Sequence, residues 1–346
     1  MKIHLYLLRR LVMMIPTLFG ITLVTFLILN LAPGGPLEQK IQKIRFGQTG
    51  GGAKTLSTRG QQGVSQEVIE AIKKQYGFDK PLHERYFIWV KNITRLDFGQ
   101  SADYNQPVID VIVSRFPVSL QFGVASFILT YGISIFLGLF MAYHAHKFAD
   151  SSLSLGLIVA SAIPPFAFGV LLLVFFAGGT FFDFFPLGYL HSEEYFDLSL
   201  GGKILDRLHH FALPLAAYMI GSFTTLAFLC RNSVLDAINK DYIRTARAIG
   251  VSRWKLYTRH AFRNALIPIV TGIGGFLAVF LSGSLLVETI FQLNGIGLLG
   301  FQALMSRDYN MIMGLTFLQS VALLVGNLIG DLAYMAVDPR VDFAGS

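Results

Sequence analysis

Charged residues are scarce in this chain. Asp, Glu, Lys and Arg together make up 14% of its 346 residues, whereas an average soluble domain has about a quarter. Hydrophobic residues make up 53%, and phenylalanine alone occurs 31 times. So few polar side chains cannot cover a soluble globule of this size, and much of the surface must face lipid. The composition predicts an integral membrane protein, and we attribute the net charge of +7 to membrane topology rather than to nucleic-acid binding.

Cysteine is nearly absent as well. Cys230 is the only one, which excludes an internal disulfide and any metal site built from several cysteines. It ends an apolar run, where we expect a small buried hydrophobic residue. Two histidine pairs, His144/His146 and His209/His210, lie at the edges of apolar runs. Because neither pair has a third ligand, we expect solvated histidines rather than a metal site.

Familiar catalytic motifs are missing too. The sequence contains no G-x-x-x-x-G-K-[ST] and no H-E-x-x-H, and residues 201–203 (Gly-Gly-Lys) lack the spacing of a phosphate-binding loop. Residues 282–284 (Ser-Gly-Ser) lie in an apolar run that has no His or Lys to serve as a base. They are interpreted as small residues that let helices approach closely. We therefore expect no catalytic residue, no cofactor and no metal in this chain.

Six apolar runs have the length of membrane spans. A helix needs about 20 apolar residues to cross roughly 30 Å of hydrocarbon, and backbone polar groups in lipid must be satisfied within the segment. The first run is too long for a signal-peptide core and lacks a cleavage site, so we expect a retained anchor. The runs predict an all-α membrane protein with six transmembrane helices, the fourth being the shortest, at residues 11–31, 118–142, 153–177, 213–229, 266–287 and 311–337.

Charges are almost absent from these runs. Asp331 lies near the end of the sixth run, and Glu288 directly follows the fifth. A proton-driven carrier or an ion channel usually needs an intramembrane relay or ring of charges, so both classes are disfavoured. Glu288, Asp331 and the helix break at Pro164 are candidates for a translocation path. The alternatives are interfacial positions for the two acids and a simple packing kink at the proline.

Lysine and arginine set the predicted orientation. They precede the first run, lie between the second and third, and are concentrated between the fourth and fifth. Such residues are enriched in cytoplasmic loops, so we expect both termini and residues 231–264 in the cytoplasm. The eight basic residues of that segment are Arg231, Lys240, Arg244, Arg247, Arg253, Lys255, Arg259 and Arg263.

The segment 33–115 would then lie outside the cell membrane. Residues 46–63 are rich in Gly, Ser, Thr and Gln and suit a flexible loop. Residues 65–77 suit an amphipathic helix, and a second one is expected to begin at Pro81 and to include Tyr86, Trp89, Val90 and Ile93. The pattern predicts a small external subdomain against the membrane, between the first and second spans.

Residues 231–264, called the basic element below, have the clearest functional pattern. Apolar residues recur there at helical spacing, Gly250 interrupts the pattern, and Ser252 is placed to cap a second short helix bearing Trp254. The pattern predicts a basic helix–turn–helix outside the bilayer, with an apolar stripe on which a partner can dock. The stripe consists of Val234, Leu235, Ile238, Tyr242, Ala246 and Ile249.

The chain resembles a known family. Residues 245–268, TARAIGVSRWKLYTRHAFRNALIP, resemble the cytoplasmic EAA loop of permease subunits of bacterial ABC importers, with Thr245 where that motif has Glu. RRLVMMIPTLFGITLVTFLILNLAPGGP, YGFDKPLHERYFIW, LDFGQS, ETIFQLNGIGLLGFQALMSRDY and DLAYMAVDPR resemble dipeptide and oligopeptide permeases. The likeness covers nearly the whole chain and is closest to the microcin C and oligopeptide branch. The matching loop positions are Ala246, Arg247, Ala248, Gly250, His260, Arg263, Asn264, Ala265 and Pro268.

The resemblance implies an architecture and a set of partners. It implies a type I ABC importer permease of the bacterial inner membrane, with an N-terminal helix (1–32), the external segment (33–115), a five-helix core (116–337) and a cytoplasmic tail (338–346). A second related permease subunit, cytoplasmic ATPase domains, a periplasmic or lipid-anchored binding protein, membrane lipid and a peptide substrate would be its partners. The chain would form the pore and would not be an enzyme, because ATP hydrolysis would belong to the ATPase.

The resemblance also assigns a role to the basic element. It would supply the coupling helix that enters a cleft of the ATPase, and ATP-driven closure would push this helix and switch the pore between inward- and outward-facing states. Within the element, the stripe favours Ala246, Ile249, Gly250 and Trp254 as contacts. The full set of candidate coupling residues is Thr245, Ala246, Arg247, Ala248, Ile249, Gly250, Trp254, His260, Arg263 and Asn264.

Other classes of protein remain open on the residues alone. An ATP-independent channel or carrier would use the basic element as a surface helix on anionic lipid. An intramembrane enzyme would need a catalytic constellation that the sequence lacks. If the basic element only enforced topology, its charge would be explained, but its glycine-interrupted helical pattern would not.

Overall fold

The computed structural model describes residues 3–31, 70, 79–179, 181–275 and 283–337. Over these residues the chain is helical, as predicted, and β-structure is limited to isolated bridges between Gln100 and Pro107 and between Ala177 and Phe185. A 3₁₀ helix spans Glu193–Asp197 and a π-helix spans Leu256–Ala261. The α-helices are α1 (Ile3–Leu31), α2 (Leu82–Ile93), α3 (Val108–Tyr143), α4 (Phe148–Ala162), α5 (Pro165–Phe176), α6 (Leu200–Ile238), α7 (Asp241–Ala248), α8 (Arg253–Lys255), α9 (Phe262–Thr271), α10 (Leu285–Ile290), α11 (Ile296–Ser306) and α12 (Tyr309–Val337).

Four single helices are long and apolar enough to cross a membrane. They are Tyr6–Leu31 within α1, the whole of α3 and α6, and Tyr309–Ala336 within α12. Helices α4 and α5 are also apolar enough when taken together, but they meet at an angle of 97°. The described residues therefore hold four candidate spans, or five if the bent pair is one. The predicted span at 266–287 includes residues outside the described ranges, so the count of six stays a prediction.

Helix α6 is much longer than the sequence analysis predicted. It has 39 residues, about 58 Å at 1.5 Å per residue, although residues 213–229 were expected to be the shortest span. The expectation was wrong because it followed the apolar run alone, and the charged residues Lys203, Asp206 and Arg207 that precede this run are helical as well. They share one face of the helix, where Asp206 accepts a hydrogen bond from the Ser192 N–H (3.1 Å) and Arg207 donates to Gln121 Oε1 (3.0 Å). Polar partners therefore extend α6 beyond its apolar run.

The described residues form two compact units, each with its own packing. The first contains those within 1–12, 115–299 and 321–346, and the second those within 13–114 and 300–320. In the first unit α6 is central, because it packs against α4, α5 and α9. One buried cluster in this unit surrounds Leu226 and Val234, and another surrounds Phe122 and Tyr218.

Helices α3 and α6 touch at backbone distance in the first unit. A Cβ atom added to Gly138 of α3 would lie 2.6 Å from Cys230 Cβ and 2.7 Å from the Ala227 carbonyl oxygen, both on α6. Only glycine permits such an approach, in the manner of small residues at helix crossings in membranes. Cys230 is buried there, as predicted, and its thiol lies 3.6 Å from the Ile135 carbonyl oxygen.

In the second unit, α2 confirms the amphipathic helix predicted from Pro81. It follows Pro81 directly and buries Tyr86, Trp89 and Ile93. The Tyr86 hydroxyl lies 2.9 Å from Thr22 Oγ1 of α1. Helix α2, which belongs to the predicted external segment, thus packs against α1. The predicted loop at 46–63 and helix at 65–77 lie outside the described residues.

Substituting the glycine at the α3–α6 crossing tests its importance. Gly138→Ala should destabilise the protein by about 1–3 kcal/mol, because the added methyl group overlaps Cys230 and the Ala227 carbonyl. Gly132→Ala on the same helix is the matched control, since a Cβ atom there meets nothing within 4 Å. The melting temperature of the detergent-solubilised protein should fall for the first variant and hold or rise for the second. Equal melting temperatures would contradict the close approach.

Candidate functional site

The basic element folds as helix, turn and helix, as predicted. It contains the end of α6, the eight-residue α7, a turn at Gly250, and then α8, the π-helix and the start of α9. The turn is a Schellman motif, in which the Val251 N–H donates to the Ala246 carbonyl (3.1 Å) and the Gly250 N–H donates to the Arg247 carbonyl (3.1 Å). Gly250 has φ +87°, the left-handed conformation that this motif requires.

Ser252 follows the turn at the N-cap position of α8 but does not cap it through its side chain. Its backbone is extended there, and no hydrogen bond from the α8 backbone reaches its hydroxyl. Its carbonyl instead accepts from the Leu256 N–H at 3.0 Å. The predicted helix start is therefore confirmed, whereas the predicted side-chain cap is wrong.

The predicted apolar stripe faces mainly into the protein. Val234, Ile238 and Ala246 are buried in one cluster with Ile243 and Leu256. Ala246, which was favoured as a partner contact, is only 7% exposed, so that assignment is corrected. Through this burial α7 packs against the π-helix, which in turn packs against α6.

A different set of residues is exposed around the turn. Ile249 is 77% exposed and Trp254 is 58% exposed, on either side of Gly250. Large apolar side chains presented to solvent beside basic residues are typical of a contact surface for another protein. The remaining exposed candidates in this part of the element are Thr245, Arg247, Ala248, Gly250, Arg263 and Asn264, while His260 is half-buried.

Tyr143, the last residue of α3, fixes the second half of the element. The Arg253 guanidinium lies 4.9 Å from the centre of the Tyr143 ring, and its Nη2 donates to the Tyr143 carbonyl at 3.0 Å. The rings of Trp254 and Tyr257 pack edge-on against the same tyrosine at 5.5 and 5.3 Å. Sequence reasoning missed Tyr143, because it lies more than 100 positions before its partners.

An ion pair fixes the first half of the element. Arg231 donates from Nε to Asp150 Oδ1 (2.8 Å) and from Nη2 to Asp150 Oδ2 (2.7 Å), so the pair is bidentate. Asp150, in the first turn of α4, is buried and also accepts from the His146 N–H at 3.1 Å. The sequence showed Arg231 only as one of eight basic residues; its distinct role comes from this partner.

The chain turns back to connect α7 with α9. The side-chain amide of Asn264 donates to the Tyr242 hydroxyl at 2.7 Å. Between these helices the π-helix adds a wide turn, a rare geometry that is often found at functional sites. The element is thus attached to α3, α4 and α6 and connected within itself, which makes it suited to transmit a displacement.

The three candidates for a translocation path lie in three different environments. Pro164 is exposed at the bend between α4 and α5. Asp331 pairs with Arg10 of α1, with Oδ2 and Nη2 2.9 Å apart. Glu288 is fully buried at 0% exposure. Its oxygens accept hydrogen bonds from Ser119, Tyr218 and the Leu298 N–H.

Histidines do not form a metal centre in the described part of the chain, where no group of three His, Cys, Asp or Glu residues could hold a metal ion. His210 was expected to be solvated, but this was wrong. It is buried, with Nδ1 2.8 Å from the Gly188 carbonyl oxygen and Nε2 3.7 Å from Asp206 Oδ1. His209 is exposed beside it and contacts the Phe184 carbonyl.

Comparison with known protein families identifies the family of this chain. The sequence family described as "Binding-protein-dependent transport system inner membrane component" matches residues 134–343. The chain belongs to this family. The match includes the whole basic element, Glu288 and Asp331, and it agrees with the resemblance found in the sequence. The protein is accordingly an integral inner-membrane permease component of an ABC transporter.

Individual relatives align along nearly the full chain. The inner membrane ABC transporter permease protein YejB of Escherichia coli O157:H7 is 41% identical over 98% of this chain and 99% of that protein. The peptidoglycan transport system permease protein YejB of Agrobacterium fabrum is 42% identical over 98% of each. The oligopeptide transport system permease protein AppB of Bacillus subtilis is 33% identical over 98% of this chain and 99% of that protein.

Breaking the buried ion pair should weaken the attachment of the basic element. Asp150→Ala leaves Arg231 largely buried without its partner, which should cost about 3 kcal/mol or more. Asp241→Ala is the matched control, because the Asp241–Arg244 pair is exposed and such pairs contribute less than about 1 kcal/mol. Melting temperature and yield of purified permease measure both effects, and an equally stable Asp150→Ala protein would argue against the attachment.

Proposed function

We propose that this permease forms the translocation pathway of an ATP-driven importer that takes peptides or peptide-like compounds into the cytoplasm. The observation that supports this most directly is the exposed turn at Gly250, with Ile249 and Trp254 on its two sides. This turn is fixed to the ends of long apolar helices through Tyr143 and Arg231. Such an element can receive a push from a partner and pass it to the membrane helices.

The substrate class follows from chemistry that the relatives share. One is named for peptidoglycan transport and another for oligopeptide transport. Peptide stems are part of peptidoglycan, so a pathway for peptide-bearing compounds accounts for both names. Microcin C, a peptide-like compound, fits the same class.

The proposed assembly contains several further parts. A second related permease subunit would complete the pore, two ATPase domains would bind the basic elements of the two permeases, and a periplasmic or lipid-anchored binding protein would deliver the substrate. We assign the chain six spans with both termini in the cytoplasm. The Arg10–Asp331 pair supports a common side for the termini, because it joins the first turns of α1 to the last turns of α12.

An ATP-independent carrier with a lipid-binding surface helix is the second candidate function. A helix that binds lipid needs an apolar face of its own directed at the membrane. Helix α7 is only eight residues long, and Ile243 and Ala246 bury its apolar side within the protein. The most exposed large apolar residues of the element, Ile249 and Trp254, lie on the two sides of the turn, which favours docking of a protein over binding of a bilayer.

A substitution at the exposed residue Ile249 distinguishes the ATP-driven importer from the ATP-independent carrier. Ile249→Asp should abolish copurification of the ATPase subunits and ATP-dependent uptake, because a charge replaces a desolvated apolar contact. The control is Phe148→Asp, an equally drastic change at a residue that is 88% exposed outside the basic element. Pull-down and uptake into proteoliposomes measure both. Normal ATPase binding by Ile249→Asp would refute the proposed docking site.

A substitution at Gly250 tests whether coupling depends on the rigid shape of the turn. Gly250→Val should uncouple ATP hydrolysis from uptake, because a β-branched residue is strained at φ +87° and the Schellman turn must change shape. A Cβ atom at this position meets nothing within 4 Å, so steric overlap inside the permease is not the cause. Substrate-stimulated ATPase activity and uptake should be measured together. Retention of both at the wild-type level would count against a coupling role.

A further inference from the structure

Glu288 is the centre of a closed hydrogen-bond network. Its Oε1 accepts from Ser119 Oγ (2.7 Å) and from the Tyr218 hydroxyl (3.0 Å). Its Oε2 accepts from the Leu298 N–H at 2.9 Å. The two hydroxyl groups are themselves acceptors, since the Ile296 N–H donates to Ser119 Oγ (2.7 Å) and the Ser284 N–H donates to the Tyr218 oxygen (2.9 Å). These three side chains and three backbone N–H groups are called the Glu288 clasp.

The backbone around the clasp is shaped to fit the carboxylate. A Cβ atom at Gly295 would lie 2.5 Å from Glu288 Oε2, and one at Gly283 would lie 2.6 Å from Oε1. Gly283 also has φ +75°. Backbone without side chains therefore lies against both carboxylate oxygens. A carboxylate accepts hydrogen bonds at both oxygens, so it can satisfy donors on both sides.

The clasp joins separate parts of the chain. Ser119 belongs to α3, Tyr218 to α6, and Glu288 to α10, while Ile296 and Leu298 are at the start of α11. Without the clasp, the segment from Ser284 to Leu298 would contact α3 and α6 mainly through apolar surfaces, such as that around Phe291. Apolar surfaces can slide, whereas a buried carboxylate without its donors is strongly destabilised.

The same two helices connect the clasp with the basic element. Ser119 and Tyr143 lie 24 positions apart on α3, about 36 Å. Tyr218 and Arg231 lie 13 positions apart on α6, about 20 Å. On both helices, the crossing at Gly138 and Cys230 lies between the clasp and the basic element. A change in the crossing angle caused at the basic element must therefore separate or displace Ser119 and Tyr218 at the other end.

We propose that the Glu288 clasp is a conformational latch: it holds α3, α6 and residues 284–298 together in one state of the transport cycle and opens when the basic element is displaced. Glu288 is therefore a positioning residue and not a substrate ligand. The latch rests on the proposed ATP-driven function, because displacement of the basic element is what opens it. Opening breaks several hydrogen bonds around a buried carboxylate at once, so intermediate arrangements are unfavourable and the helices switch between two states.

Amide hydrogen exchange in the assembled transporter tests the latch directly. The complex of both permeases and the ATPase subunits is placed in lipid nanodiscs, without nucleotide and trapped with ATP and vanadate. The amides of Ser284, Ile296 and Leu298 are the readout because they donate within the clasp. All three should exchange slowly in one state and faster in the other. The change should be roughly tenfold or more for Leu298, whose amide bonds the Glu288 carboxylate directly.

Two serines on α3 give a matched pair of variants. Ser119→Ala removes one donor to Glu288 and the acceptor for Ile296, and should make the Ile296 and Leu298 amides exchange fast in both states. Ser126→Ala removes an equally buried hydroxyl that bonds only within α3, to the Phe122 and Gly123 carbonyls, and should behave as wild type. Uptake per ATP hydrolysed should fall for the first variant alone. A merely structural clasp would give no dependence on the nucleotide state.

The possible outcomes distinguish failure of the latch from failure of the proposed function. If amides of residues 241–255 respond to trapping while those of the clasp do not, the latch is refuted and the proposed function stands. If neither region responds, ATP does not act on this chain and both proposals fall. Should Ser119→Ala not assemble, Tyr218→Phe asks the same question, because it removes one hydroxyl and keeps the ring stacked on Phe122 at 5.9 Å. Wild-type exchange in Tyr218→Phe would also overturn the latch.

Discussion

The backbone approach of α3 and α6 at Gly138 is the constraint on which the arrangement of the first unit depends. These helices are about 54 and 58 Å long, roughly twice the thickness of a hydrocarbon core. Lipid gives helices no hydrophobic reason to associate, so close packing must hold them together. The small residues Gly138, Ala227 and Cys230 provide that packing. This single close contact therefore fixes α3 and α6 relative to each other and positions the ends of both helices.

Charges in this apolar chain are few, and those with structural roles are paired. Arg231 with Asp150 fixes the basic element, Arg10 with Asp331 joins α1 to α12, and Glu288 is surrounded by donors. Each of these groups would be costly to leave unpaired in a low-dielectric surrounding. Apolar packing can be equally favourable in several arrangements of the same helices, whereas a charged group is satisfied only in the arrangement that brings it to its partners. The charges therefore specify which arrangement of the apolar helices is adopted.

Sequence patterns predicted the local structure well and the long-range partners poorly. Apolar periodicity and a single glycine predicted α7, the turn and α8, and Pro81 predicted the start of α2, because these signals are local. The length of α6 was missed, since its charged first turns find partners such as Gln121 in another helix. The apolar stripe was real, but periodicity cannot tell whether a stripe faces a partner or the protein's own core. Tyr143, Asp150 and the two hydroxyl groups that donate to Glu288 are distant in sequence from their partners and carry no local signal.

Burial of the stripe also constrains how the basic element would serve the proposed docking. A surface that binds a partner through its whole apolar face would have to leave the permease core in order to dock. Here Ile243 and Ala246 remain buried in the core of the permease while Ile249 and Trp254 are presented to solvent. Trp254 further contacts Tyr143, the last residue of α3. Because one side chain is both exposed and packed against a membrane helix, a displacement at the turn reaches α3 without an intervening flexible segment.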